Sequence, residues 1–385
     1  MLDIRKGHER TLKIKKNVLG SLVLKGVSIL ISLLLVPMVL NYLDEERYGL
    51  WLTLSSIIGW FSLFDVGLGN GLRNKFAEAR ALEKDQLAKT YVSTTFAIIS
   101  IIIVVVLIIF LTINPFLNWT NILNTTTESP QILSTLALIV FVFFCLQFVF
   151  KLITSILLAD QRPASVDLIN VLGSLLSLII IYVLLNVTNG SLILLGLALS
   201  SSPVVVLIIA NILVFTGKYR IYKPSIKHVD FKESKSLMGL GFKFFIPQIA
   251  SLIVFSSSNI IIAQIFNPSE VTVYNIAYKY FSLATMFFQI LLAPFWSAFT
   301  EAYMKGEMEW IKNAIRKLIL LWGMSCIVVV GMVVVANFAY AIWVGEQIDV
   351  PMALSICIAI YVCVANWNNI YVSFNAGVSK FFIQV

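Results

Sequence analysis

Ten apolar stretches of about 20 residues, joined by short polar segments, restrict the fold of this sequence more than any other feature. An α-helix needs about that length to cross the hydrocarbon core of a bilayer. Only 12% of the 385 residues are charged and 59% are apolar, whereas a soluble domain carries about 25% charged residues. The sequence therefore predicts an all-α polytopic membrane protein. The predicted spans are 17–41, 48–65, 91–113, 131–158, 166–187, 191–216, 243–266, 271–299, 317–338 and 351–371.

The distribution of Lys and Arg predicts the orientation of these spans. All of these residues except Lys25, Arg47, Lys151 and Lys279 lie in the N-terminal tail or in loops on one side of the membrane. Because cytoplasmic loops are enriched in Lys and Arg, we expect a cytoplasmic N-terminus. This topology accounts for the net charge of +8, which therefore gives no reason to expect a nucleic-acid partner.

The longest predicted cytoplasmic connection divides the chain into two bundles. Residues 1–216 form a predicted N-terminal bundle of six helices, and residues 217–242 form a basic cytoplasmic linker. Residues 243–385 then hold four further spans and the start of a fifth. We expect the linker to lie against anionic inner-leaflet lipids, because each Lys or Arg near that surface contributes about 1 kcal/mol.

Three lysines inside predicted spans are the main candidates for a binding site, because a charged side chain at that depth usually faces a cavity or a partner. Lys25, Ser28 and Ser32 share one face of the first helix. Two alternatives are that the lysines reach the headgroups and that the polar side chains join neighbouring helices. The predicted substrate-binding residues are Lys25, Lys279, Lys151, Ser28, Ser32, Asn259, Asn275 and Tyr278.

Acidic residues are placed differently, because no Asp or Glu lies near the middle of a predicted span. An interior with cations and neutral polar groups favours an anionic ligand. Asp65 and Glu301, near the ends of spans, are predicted coupling residues. Pro37 and Pro294 each remove a helical hydrogen bond and are predicted hinges for gating, although static kinks are the alternative.

The sequence gives no support for an enzyme or a metal site. Both histidines lie in polar segments, and the four cysteines lie in apolar runs without Cys-x-x-Cys spacing. The predicted spans hold no paired carboxylates and no Ser/His/Asp set. We therefore expect no catalytic residue, no metal ligand and no cofactor, and leave coupling to Na⁺ or H⁺ open.

Two motifs near the N-terminus resemble a known family. Tyr48-Gly-Leu-Trp51 and Asp65-Val-Gly-Leu-Gly-Asn-Gly71 are similar to segments of the polysaccharide transporter family in the MOP exporter superfamily, which includes the Wzx-type O-antigen and exopolysaccharide flippases. The resemblance implies a MATE/MOP-like fold of two bundles around a central cavity. It also implies that family cations on helices one and eight correspond to Lys25 and Lys279.

The activity implied by this resemblance is transport. Such flippases carry polyprenyl-pyrophosphate-linked oligosaccharide, the repeat unit of O-antigen, capsule or exopolysaccharide, from the cytoplasmic to the outer leaflet by alternating access. A glycan polymerase is a further partner that the resemblance implies. Because the family has at least twelve spans, we expect that this chain is truncated and lacks two C-terminal helices.

Two other function classes remain open at this stage. A MATE-type antiporter for drugs or small molecules is expected to carry a buried carboxylate, and the predicted spans have none at depth. A membrane enzyme, such as a glycan polymerase, is expected to have a large outer loop with catalytic groups. The longest predicted outer loop, 114–130, contains Glu128 as its single acidic residue and has no basic residue.

Overall fold

The computed structural model describes residues 2–65, 67–234, 236–237, 249, 257–304, 306–346 and 348–377. Side chains are described within these ranges except at 2–19, 63, 65, 81, 293–294, 296–297, 300–301 and 304. The chain divides into two compact units, Met1–Ser269 and Glu270–Val385. The predicted boundary at the basic linker stays a prediction.

The first unit contains nine helices that we label α1 to α9, a further helical segment and several short 3-10 turns. The helices are α1 (Leu2–Tyr42), α2 (Glu45–Gly59), α3 (Leu68–Ala81), α4 (Asp85–Ile113), α5 (Trp119–Leu123), α6 (Pro130–Phe150), α7 (Leu152–Ala159), α8 (Pro163–Val187) and α9 (Leu192–Thr216). A 3-10 turn, Trp60–Asp65, follows α2, and residues 257–265 are also helical.

Local sequence signals mark several of these helix boundaries. Ser129 caps α6 by accepting a hydrogen bond from the Ile132 amide, and Pro130 occupies the first turn. Gly67, at φ 75°, precedes α3 in a left-handed conformation that glycine adopts without strain. Gly67 thus precedes the first turn of α3, which follows the 3-10 turn after α2.

Long helices pack side by side in the first unit: α8 lies against both α1 and α9, and α9 lies against α6. Small residues permit close approach, because a Cβ on Gly173 of α8 would lie 3.2 Å from the Pro203 Cα of α9. Many large apolar side chains on α4 and α9 remain exposed, for example Ile108 and Leu213. Such a surface suits a hydrocarbon environment rather than water.

The second unit contains four described helices: α10 (Pro268–Met304), which begins two residues before the unit boundary, α11 (Met308–Val334), α12 (Ala336–Val344) and α13 (Met352–Gly377). An aromatic and aliphatic core joins α10, α11 and α13 through Phe288, Phe299, Leu318 and Ile370. The Trp322 Nε1 of α11 donates a 2.8 Å hydrogen bond to the Cys363 carbonyl of α13.

Seven helices within the described residues are long and apolar enough to cross a membrane. They correspond to seven of the ten predicted spans and are Gly20–Tyr42, Asp85–Phe116, Pro130–Ala159, Pro163–Val187, Leu192–Thr216, Met308–Val334 and Met352–Asn375. The predicted span 48–65 folds as α2 and its 3-10 turn, and the span 271–299 lies within the 37-residue α10. The predicted span 243–266 lies largely outside the described residues.

Candidate functional site

A break in the helix that follows Pro130 positions the main polar site of the first unit. The Thr154 amide donates to the Lys151 carbonyl at 2.9 Å, and the Thr154 hydroxyl donates to the same oxygen at 2.7 Å. The Phe150 carbonyl instead accepts a 2.8 Å hydrogen bond from the Asn211 amide of α9. One helical span is thereby divided into α6 and α7, and Lys151 lies at the junction.

Lys151 lines two cavities at this junction. The larger has a volume of about 360 Å³ and the smaller about 210 Å³, and Gln147 lines both cavities as well. The larger cavity is lined by Ser62, Gly69, Asn70, Phe144, Gln147, Phe148, Lys151, Leu152, Thr154, Ser155 and Leu158. The smaller is lined by Gln147, Lys151, Ile169, Asn170, Gly173, Ser174, Pro203 and Leu207.

We call the larger and the smaller cavity together the twin cavity, and its charge is positive. Its described lining consists of one ammonium group, hydroxyls, amides and apolar side chains, without a carboxylate. Lys151 is exposed and makes no ion pair with any residue that the structure describes. A cation beside several hydrogen-bonding side chains can bind an anionic group and neighbouring hydroxyls.

An apolar cavity of about 570 Å³ lies on the other side of the 3-10 turn Trp60–Asp65. Phe61 and Phe64 of that turn line the apolar cavity, whereas Ser62 lines the larger polar cavity. The Phe61 and Phe141 rings meet edge to face with centroids 4.8 Å apart. This short turn thus separates the larger polar cavity from the apolar cavity within the first unit.

The predicted site residues on α1 and in segment 257–265 occupy varied surroundings. Lys25 is exposed on α1, while Ser28 and Ser32 are half-buried; Pro37 lies inside the continuous helix α1. Asn259 is buried, and its amide donates a 2.9 Å hydrogen bond to the Ser56 hydroxyl of α2. The lining of the two polar cavities, as described, includes none of these residues.

Three predicted binding residues fall on α10 of the second unit. Lys279 and Tyr278 are half-buried, and the Tyr278 ring stacks on Tyr274 with centroids 6.0 Å apart. The Asn275 amide donates a 2.7 Å hydrogen bond to the Val271 carbonyl one turn earlier. The side chains of the remaining candidates, Asp65, Pro294 and Glu301, lie outside the described residues.

The sequence places Gln147, Thr154 and Ser155 on the same helical face as Lys151, but it does not predict the lining residues that other elements contribute. Asn170 and Ser174 are four residues apart on α8, a spacing that already places both on one helical face. Ser62 and Asn70 lie on either side of Gly67 in the sequence, and no spacing there predicts that they line a cavity. No cluster of His, Cys, Asp or Glu suitable for a metal occurs in the part of the chain that the structure describes.

Comparison with protein families and curated sequences gives consistent matches. The family model described as "Polysaccharide biosynthesis protein" matches residues 14–299. A Salmonella typhi protein named "Putative O-antigen transporter" is 25% identical over 363 residues, 91% of this chain and 79% of the relative. A Yersinia pseudotuberculosis protein named "Putative O-antigen export protein" is 24% identical over 371 residues, 92% of this chain and 81% of the relative.

Solved structures show which fold these helices adopt. An inward-facing multidrug resistance MATE family transporter of the MOP superfamily aligns with a TM-score of 0.77 at 16% identity, covering 94% of this chain and 85% of the other. A MOP superfamily transporter from Pyrococcus furiosus, described by the reverse polarity of its binding pocket, aligns with a TM-score of 0.67 at 15% identity, covering 96% and 84%. The predicted MATE/MOP-like all-α fold is confirmed.

Proposed function

Because this chain belongs to the polysaccharide biosynthesis protein family, we propose that it is a polysaccharide flippase of a bacterial plasma membrane. Its substrate in this proposal is a polyprenyl-pyrophosphate-linked oligosaccharide, which it moves from the cytoplasmic to the outer leaflet by alternating access. The names of the Salmonella and Yersinia relatives, an O-antigen transporter and an O-antigen export protein, support this substrate class. Seven apolar helices and the MATE/MOP-like fold support a multi-pass transporter.

The twin cavity at Lys151 is the observation that carries the proposal. A diphosphate cannot cross bare hydrocarbon readily, because an isolated charge loses its hydration there at large cost. A polar chamber with a cation, hydroxyls and amides replaces that hydration. The apolar cavity beyond Phe61 and Phe64 offers the polyprenyl chain a surface like the lipid it leaves. The two chambers thus match the two halves of an amphipathic substrate.

The proposal assigns a binding or a gating role to each predicted site residue. Lys151, Lys25 and Lys279 are each proposed to contact pyrophosphate or acidic sugars at some point during transport, while neutral side chains contact sugar hydroxyls. Conformational gating would involve the helix-terminal carboxylates and the intrahelical prolines, with Na⁺ or H⁺ as coupling ion. The neutral set is Ser28, Ser32, Asn259, Asn275 and Tyr278, and the gating set is Asp65, Glu301, Pro37 and Pro294. A glycan polymerase would receive the product at the outer face.

A second candidate is a MATE-type antiporter for small molecules, which the likeness to a multidrug transporter of the same fold favours. A transporter that exports cations against Na⁺ or H⁺ needs a carboxylate to bind them. The described lining of both polar cavities supplies a lysine instead. The polarity of the site therefore favours the flippase over the antiporter.

The test compares the glycan lipid on the outer leaflet in cells that lack the gene and in cells that express variants. We expect deletion to trap the glycan lipid on the cytoplasmic face, where a membrane-impermeant probe cannot reach it. Lys151→Glu should lower the outer-leaflet signal by about tenfold or more, the effect of about 1.4 kcal/mol. Lys151→Arg should retain much of it, because the positive charge is kept.

Lys84→Glu is the matched control, since Lys84 is also exposed but lies in the turn before α4, away from both cavities. An unchanged outer-leaflet signal on deletion would contradict the flippase. Greater drug susceptibility without loss of surface glycan would support the antiporter. Full transport by a correctly inserted Lys151→Glu protein would contradict the site but not the function.

A further inference from the structure

The segment that follows α9 is attached firmly to the first unit. We call residues 217–234 the basic segment. The Tyr222 hydroxyl donates to the Asp85 carboxylate at the start of α4. Further along, the Ser225 amide donates to the Ser93 hydroxyl at 3.1 Å, and the Asp230 amide donates to Thr94 at 3.0 Å. These hydrogen bonds therefore hold the basic segment along the first turns of α4.

These anchor points give the basic segment a depth relative to the bilayer. About 20 residues of helix cross the hydrocarbon core, and counting back that number from Ile113, the last residue of α4, reaches Thr94. With Ile113 taken as the outer end of the span, we expect the contacts at Ser93 and Thr94 to lie at the level where the hydrocarbon begins. Residues 225–230, held by those contacts, lie at the same level, the interface between headgroups and acyl chains.

Three large apolar side chains of the basic segment are mostly exposed and pack little against the rest of the protein. Ile226 is 94% exposed, and Ile221 and Phe231 are each 56% exposed. The aromatic residues Tyr219 and Tyr222, in contrast, are buried and supply the packing of the segment onto the unit. Apolar side chains exposed at interfacial depth can enter the boundary region of a bilayer.

Exposed cations surround these apolar side chains, and the segment's acidic residues are Asp230 and Glu233. The exposed cations are Lys218, Arg220, Lys223, Lys227 and Lys232. Basic residues beside interfacial apolar residues are typical of surfaces that bind anionic phospholipid. Their positive charge complements a membrane surface rich in acidic headgroups.

We propose that the basic segment docks on an anionic phospholipid surface, with Ile221, Ile226 and Phe231 entering the headgroup boundary and the flanking lysines binding acidic headgroups. The partner is the bilayer itself on the side predicted to be cytoplasmic. A soluble protein partner is disfavoured, because the hydrogen bonds to Ser93 and Thr94 hold the centre of the segment at the depth of the lipid. The docked segment would keep the start of α4 at a constant depth.

The experiment measures lipid contact at position 226 in the full-length protein. Ile226→Cys carries a fluorophore, the protein is reconstituted in nanodiscs, and brominated phosphatidylglycerol or brominated phosphatidylcholine is the quencher. Glu83→Cys, in the exposed turn between α3 and α4, is the control position. Labelled wild-type protein provides the blank for the four native cysteines, which are free thiols.

We expect stronger quenching at position 226 than at position 83, and a preference for the anionic lipid of about fivefold or more, the ratio that about 1 kcal/mol from one near-surface cation produces. Replacing Lys223, Lys227 and Lys232 by Gln should abolish that preference while contact with phosphatidylcholine persists. The side chain at 226 is almost fully exposed, so its replacement leaves the packing intact. Quenching at 226 by an aqueous quencher but by neither lipid would overturn the proposal, as would equal quenching by the two lipids.

Discussion

At the scale of single residues, Asp160 is the point where polar contacts at one end of the first unit converge. Its carboxylate accepts hydrogen bonds from Arg80, Lys218 and Tyr219, and the Arg162 Nε lies 3.1 Å away. Burial alone would raise the pKa of this carboxyl, but the hydrogen bonds from Tyr219, Lys218 and Arg80 outweigh it and lower the pKa from 3.8 to about 2. Folding therefore favours the ionised form.

We expect Asp160→Asn to lower the free energy of unfolding at pH 7 by on the order of 1–2 kcal/mol, because three donors lose a charged acceptor. The folded pKa lies below the unfolded value, so this stabilisation is complete above about pH 4 and is lost as the pH falls towards about 2. Denaturant unfolding of both proteins in detergent at pH 7 and pH 3 measures the difference.

Glu83→Gln, an exposed carboxylate in the turn before α4, is the control and should change stability little. A destabilisation by Asp160→Asn that is as large at pH 3 as at pH 7 would contradict the role of the ionised carboxylate. Arg80 and Tyr219 are distant from Asp160 in the sequence, so only the packed structure reveals that they share this carboxylate.

At the scale of helices, the break between α6 and α7 is the feature that creates the candidate site. No Gly or Pro occurs from Gln131 to Ala159, so the sequence predicts one uninterrupted span. The Thr154 hydroxyl donates a hydrogen bond to the Lys151 carbonyl. The Asn211 amide donates a hydrogen bond to the Phe150 carbonyl. Neither contact can be read from the hydropathy of a single segment.

We expect Asn211→Ala to destabilise the protein by on the order of 1–3 kcal/mol, because it removes the side-chain donor of the Phe150 carbonyl beside an apolar region. The same variant should lower transport, since Lys151 depends on that break for its place between the cavities. Thermal unfolding and the outer-leaflet glycan assay measure the two effects.

Asn186→Ala supplies the comparison for the helix break. The Asn186 amide also donates to a helix carbonyl, that of Tyr182 at 2.7 Å, but it does so within its own helix on an exposed surface. This variant should retain both stability and transport. Equal losses of stability and transport in the two variants would contradict a special role for the break, because the effect would then follow from removing any asparagine of these helices.

At the scale of the whole molecule, the positive-inside pattern predicts which loops face the cytoplasm. Arg47 is the basic residue that departs from this pattern, and its Nε is 2.5 Å from the buried Glu128 carboxylate. Its charge is therefore compensated locally. The orientation itself stays a prediction, because helix packing is the same whichever side of the protein faces the cytoplasm.

We expect Thr126→Cys to react with a membrane-impermeant maleimide in intact spheroplasts and Glu83→Cys to react only after permeabilisation. Both positions are exposed, so accessibility to the reagent depends on the side of the membrane. Wild-type protein controls for the native cysteines. Labelling of Glu83→Cys without permeabilisation would reverse the predicted topology.

The sequence by itself determined the class of this protein and most of its membrane helices. Span length and hydropathy are local properties, and any 20-residue apolar segment must satisfy its backbone hydrogen bonds within a helix in lipid. The family was equally readable, because the Tyr48–Trp51 and Asp65–Gly71 motifs are continuous in sequence. Lys151 was identified for the same reason, as a charge within an apolar run.

The tertiary structure decided which polar residues act together. Asn211 lies 61 residues from the Phe150 carbonyl to which its amide donates, and the twin cavity is lined by residues from α3, α6, α7, α8, α9 and the turn after α2. It also decided that the basic segment follows α4, through hydrogen bonds from Ser225 and Asp230 to Ser93 and Thr94. Hydropathy cannot predict these arrangements, because they depend on which helix faces meet and on polar groups that find partners only after the helices pack.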